Sequence, residues 1–111
     1  MTAQFDKLVR DRIPELIEEN GEQPTTSTVA GEAYTERLVE KLREEVEEYA
    51  ESRDVEELAD VLEVVHALRE NQGVSAERLA EIREEKASER GRLAEGIVLE
   101  AVDRSPGAGG E

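Results

Sequence analysis

Glu45, Glu48, Glu57 and Asp60 stand where the helical pattern of the chain asks for apolar side chains. Taken as helix at about 100° per residue, the stretch 41–68, KLREEVEEYAESRDVEELADVLEVVHAL, continues a face that holds Leu38, Leu42, Val46 and Tyr49. Glu45 falls beside that stripe and Glu48 at its edge, while Glu47 points away. The second half repeats the arrangement: Glu57 and Asp60 share an arc with Val61, Val64 and Leu68, and Glu56 and Glu63 project outward. Each acidic pair has i, i+3 spacing, which keeps both carboxylates on one side of its helix.

Carboxylates removed from water are costly unless they are paired or coordinate a cation. An all-oxygen donor set suits a hard ion such as magnesium, manganese or calcium, and magnesium commonly takes a few carboxylates together with substrate phosphates. A helical hairpin that brings the two pairs together would hold such an ion between them. A solvated acidic face is the other reading of the same residues, and Glu57 also has a structural one. With Asp54 it spells an acidic capping box, in which Glu57 would reach back to the cap amide.

The elements that must position these groups are legible as periodicity. Helix two is expected over 32–52 and helix three over 55–71, joined at Arg53 and Asp54; so short a link makes them antiparallel neighbours. Before them, Asp11 and Pro14 start a short helix that Asn20 and Gly21 end. Residues 23–30 are threonine-rich and read as an extended connector. Gly73 closes helix three, Ser75 caps the next, and 76–92 carries Leu79, Ile82 and Ala87 at looser helical spacing. The β-branched run GIVLEAV, 96–102, is expected as a short strand or extended arm, and 105–111 as a flexible tail. The class is all-α, a helical-hairpin-based four-helix bundle, with residues 1–104 as a single domain.

Composition narrows the function. The 111 residues carry a formal net charge of −15, with 39% charged and 3% aromatic residues. That balance argues against nucleic acid and against an anionic membrane surface. It resembles the surface of a salt-adapted, halophilic protein. Cysteine is absent, which excludes disulfides and thiolate metal sites. No apolar run approaches a membrane span and no signal-peptide pattern opens the chain, so the cytoplasm is the expected location. Limited core makes a homodimer or homotetramer the expected state. Lys7, Arg10 and Arg12 form the basic cluster of the first third of the chain. They either bind phosphate or offset the acidic helices. His66 lies off the acidic arc and reads as a surface or interface residue.

These residues resemble the all-α nucleoside triphosphate pyrophosphatase superfamily, which holds MazG-like proteins, dimeric dUTPases and phosphoribosyl-ATP pyrophosphohydrolases. The likeness rests on E-x-x-E followed by E-x-x-D, here Glu45 to Glu48 and Glu57 to Asp60, preceded by Glu44 as in EExxE. The opening KLVRDRIPELIEENG and the later IREEKASERGRL look like the phosphoribosyl-ATP pyrophosphohydrolase-like subgroup. The resemblance implies that Glu45, Glu48, Glu57 and Asp60 bind Mg2+, with Mn2+ as a substitute. It also implies hydrolysis between the α and β phosphates of a nucleotide, releasing a nucleoside monophosphate and pyrophosphate, as in house-cleaning of non-standard nucleotides. Glu44 is the candidate base, and Lys86 and Arg90 look like the family's downstream phosphate-binding pair, with Lys7, Arg10 and Arg12 as further phosphate ligands. Two departures bear on substrate choice. The interval from Glu48 to Glu57 is short, and Phe5, Tyr34 and Tyr49 are the available aromatics. The alternatives are phosphoribosyl-ATP hydrolysis in histidine biosynthesis and a non-catalytic helical module that dimerises and binds.

Overall fold

Glutamate, alanine, leucine and arginine, all strong helix formers, dominate the middle of the chain. A computed structural model, describing residues 3–104, shows the helices they form. In order these are α1 (Ile13–Glu19), α2 (Gly31–Ser52), α3 (Val55–Asn71) and α4 (Ala76–Arg90). The all-α, four-helix class is thus what the sequence leads us to expect. The chain divides into two compact units, the division falling within α4 between Leu79 and Ala80. None of the described helices is long and apolar enough to cross a membrane.

In the first unit the hairpin of α2 and α3 is the organising element. Arg53 ends α2 in the left-handed region, φ 62°, and its N–H donates to the Tyr49 carbonyl at 2.8 Å. This is the geometry that closes many helix C-termini. The next residue, Asp54, is the N-cap of α3, so the two helices fold back on one another and pack together. At the far end Asn71 Nδ2 donates to Thr35 Oγ1 at 2.8 Å, tying the end of α3 to the start of α2. Between these ties Leu38, 2% exposed, and Val64, 6% exposed, are the buried apolar side chains among the described residues. Each stabilises the fold by about 2 kcal/mol. Glu45 lies beside them at 5% exposure.

Several expectations shift by a residue or a role. Val46 is 50% exposed rather than on the inner face, because the hairpin contact is centred one residue earlier, on Glu45. Asp11 does not cap α1: the N-cap position falls on Arg12 and carries no side-chain cap bond. The capping box of Asp54 and Glu57 does not form either. Ser52 Oγ accepts the Asp54 N–H at 3.1 Å, so the amide that Glu57 would have reached is already bonded. Ser75 does cap α4, accepting the Arg78 N–H at 3.0 Å.

In the second unit α4 stops at Arg90, two residues short of expectation, where Gly91 takes φ 82° and donates its N–H to Ala87 O at 2.8 Å. Arg92 then turns back to bond both carboxylate oxygens of Glu84, at 3.0 and 2.9 Å. The run 96–102 forms no strand among the described residues, and its Ile97, Val98 and Leu99 are exposed. The expected tail, 105–111, lies outside the described residues.

Candidate metal centre

The two-residue turn sets the register of the hairpin, and that register brings the acidic pairs of α2 and α3 side by side. Glu45 offers a carboxylate oxygen that lies, with one from Glu57 and one from Asp60, in a group no wider than 4.8 Å. Glu44, Glu45 and Glu48 form a second such group. Glu45 belongs to both and is buried; Glu44, Glu57 and Asp60 are half-buried, and Glu48 is exposed. All four residues expected as metal ligands therefore meet in one cluster.

The donor set fits a hard divalent cation. Metal–oxygen distances of about 2.0–2.1 Å for magnesium put opposite ligands about 4 Å apart, and about 5 Å apart for calcium at 2.3–2.6 Å. The carboxylate oxygens of each group, within 4.8 Å of one another, already lie in that range of separations. The electrostatics agree. Burial, together with the neighbouring carboxylates of Glu48, Asp60 and Glu45, holds the Glu57 carboxyl above its ordinary range. Uncompensated negative charge of this kind is what a cation relieves.

Among the described residues, three cations reach the cluster. Lys41 Nζ lies 2.9 Å from Glu44 Oε1 and 3.0 Å from Glu45 Oε2. Burial works against its ammonium, but the bonds to Glu44 and Glu45 outweigh it and raise its pKa. From the N-terminal segment, Lys7 Nζ donates to Glu44 Oε2 at 2.9 Å and Arg10 Nη2 to Asp60 Oδ1 at 2.7 Å. The bonds from Lys41 and Lys7 hold the Glu44 carboxyl below its usual range. The Asp60 bond raises the Arg10 pKa in turn.

No protein-family model matches the chain. No solved structure matches it either. A curated relative does: an uncharacterized protein of Mycolicibacterium smegmatis is 48% identical over 50 residues, 43% of this chain and 51% of the relative. The chain thus aligns with about half the length of that relative.

Of the cations singled out in the sequence, Lys7 and Arg10 come to the carboxylates, whereas Arg12 bonds Glu15 one turn away at 2.8 Å. Lys86 and Arg90 are exposed on the part of α4 that belongs to the second unit. Lys41 was missed, although its signal was present: it stands three and four residues before Glu44 and Glu45, the spacing at which helical side chains meet. His66 keeps its structural reading, half-buried and accepting a bond from Arg69 Nε at 3.4 Å. A shallow concavity along α1, lined by Ile13, Leu16, Ile17 and Asn20 among others, contains none of the cluster's residues.

Proposed function

We propose that the protein is a magnesium-dependent nucleotide pyrophosphohydrolase that cleaves between the α and β phosphates, giving a nucleoside monophosphate and pyrophosphate. The observation that carries this reading is the convergence of Glu45, Glu57 and Asp60 to within 4.8 Å, with Glu48 adjoining, in a fold of four helices. Those four would hold the ion; when bound it neutralises phosphate charge and polarises an attacking water. Lys7 and Arg10 stand beside the same carboxylates and can turn to phosphate oxygens, as charged donors commonly do. Lys86, Arg90 and Arg12 are proposed as further phosphate ligands from the sequence resemblance alone.

Glu44 is the proposed proton acceptor. Lys41 and Lys7 depress its basicity while both are bonded to it, so it gains basicity when Lys7 moves to a phosphate. Non-standard nucleotides in the cytoplasm are the proposed substrate class. A homo-oligomer is proposed because Leu38 and Val64 are the buried apolar residues of the described part, while Leu58 and Leu62 on α3 are 46% and 54% exposed.

A magnesium-dependent screen over standard, damaged and phosphoribosyl nucleotides, read by phosphorus NMR, tests the reaction. The expected products are pyrophosphate and a monophosphate. Release of orthophosphate instead would reject the α–β cleavage, and no turnover on any member of the panel would favour a binding module. Turnover confined to phosphoribosyl-ATP would place the chain in histidine synthesis.

A further inference from the structure

Residues 3–12 precede α1 without helix or strand, yet they are fastened to the α2–α3 hairpin at three points. Arg37 on α2 donates from Nη1 to the Asp6 carbonyl and from Nη2 to Asp6 Oδ1, each at 2.9 Å. Lys7 bonds Glu44 and Arg10 bonds Asp60. Apolar burial in the segment is limited to a half-buried Leu8, with Phe5 75% and Val9 37% exposed. Three charge pairs tie it to the hairpin.

The three fasteners are not equivalent. Asp6 is tied to Arg37, which lies outside the carboxylate cluster, whereas Lys7 and Arg10 end on carboxylates within it. Both of those pairs are partly exposed, with side-chain exposures of 42% and 29% for Lys7 and Glu44 and 55% and 39% for Arg10 and Asp60. Ion pairs open to solvent to this degree are weak and exchange readily. A doubly positive ion among the same carboxylates repels an adjacent guanidinium and ammonium.

We infer that residues 3–12 are a strap whose two inner fasteners exchange partners, from Glu44 and Asp60 in the ligand-free protein to the phosphates of a metal-bound pyrophosphate group. The inference rests on the cluster being a cation site. Asp6 is itself 87% exposed; it stays the outer end because Arg37 holds it by two bonds that lie away from the carboxylate cluster. Cation alone loosens the strap, because Lys7 and Arg10 lose their carboxylates without gaining an anion. Cation together with pyrophosphate fastens it again, because the same two side chains then meet negative charge. Metal and anion are therefore coupled through the strap, each changing the affinity of the other by the same factor.

Hydrogen exchange of the amides in 3–12, measured on the full chain, reads the strap directly. Three conditions suffice: no ligand, Mg2+ alone, and Mg2+ with inorganic pyrophosphate. We expect exchange to rise with Mg2+ and to fall to the ligand-free level or below when pyrophosphate is added. In parallel titrations Arg10→Met should bind Mg2+ about two- to fivefold more tightly, the worth of an exposed ion pair, and Mg2+ with pyrophosphate more weakly. Arg37→Met, away from the cluster, should speed exchange in every condition and leave Mg2+ affinity as it is. If Mg2+ binds but exchange in 3–12 does not change, the strap is overturned and the metal site stands. If titration finds no Mg2+ binding to the parent, both fall. The exchange series on the parent decides the matter even if Arg10→Met does not fold.

Discussion

Lys41 Nζ lies 3.0 Å from Glu45 Oε2, and Glu45 is the buried charged side chain of the described residues. The pair makes Lys41 an internal counter-ion for a cluster that carries more negative charge than it can hold unassisted. Lys41→Met keeps the stem but leaves Glu45 without its partner. Breaking a buried pair in this way costs about 3–5 kcal/mol. Since Lys41 is 17% exposed, the lower end, about 3 kcal/mol, is expected in urea unfolding without metal. Magnesium should restore much of the loss. A loss under about 1 kcal/mol would mean that Glu45 does not depend on Lys41.

Glu44 and Glu57 should give the metal-free protein opposite responses to pH. Lys41 and Lys7 lower the Glu44 carboxyl, so its contribution to stability is present above its unfolded value and is lost as pH falls through its folded one. Burial and neighbouring carboxylates raise the Glu57 carboxyl. There the native state binds the proton more tightly, so ionised Glu57 costs stability at neutral pH, and that cost is relieved as pH falls through its raised folded value. Glu57→Gln should therefore raise the melting temperature at pH 7 and Glu44→Gln lower it, both without metal. A lower melting temperature for Glu57→Gln at pH 7 contradicts the repulsion inferred for the cluster.

Much of the site was legible in the chain, because i, i+3 spacing and a two-residue turn leave few ways to arrange the carboxylates. Glu45, Glu57 and Asp60 converge for that reason. What the helical wheel could not supply was the rotation of α2 about its axis, which buries Glu45 and exposes Val46. The capping reading of Glu57 failed because Ser52, two residues upstream of Asp54, takes the cap amide. Lys7 and Arg10 were readable as phosphate ligands or as counter-ions, and in the structure they pair with Glu44 and Asp60. Partner choice of this kind depends on pairings 37 and 50 residues apart, beyond the reach of local pattern.

A formal charge of −15 on 111 residues sets the response to salt. Unscreened repulsion opposes the compact state, and concentrated salt shortens its range to a few ångströms. The melting temperature is expected to rise by about 5 °C or more from dilute to molar potassium chloride. An unchanged value removes the argument for salt adaptation. Light scattering in molar salt should find a homo-oligomer, and a monomer at micromolar concentration contradicts the proposed assembly.

Calorimetric titration of Mg2+ into the parent, Asp60→Asn and Glu47→Gln tests the metal centre most directly. Asp60→Asn removes one carboxylate of the cluster and keeps its shape; its effect on metal-free stability is small, because the lost bond to Arg10 and the lost repulsion from Glu57 oppose each other. Glu47→Gln removes the same charge from an exposed position on the same helix. The parent and Glu47→Gln should bind Mg2+ alike and gain about 2.7 kcal/mol of stability at a hundredfold excess over the dissociation constant. Asp60→Asn should bind at least about tenfold more weakly, the equivalent of 1.4 kcal/mol. Equal Mg2+ affinity in all three proteins would show that the converging carboxylates are surface charge and not a metal site.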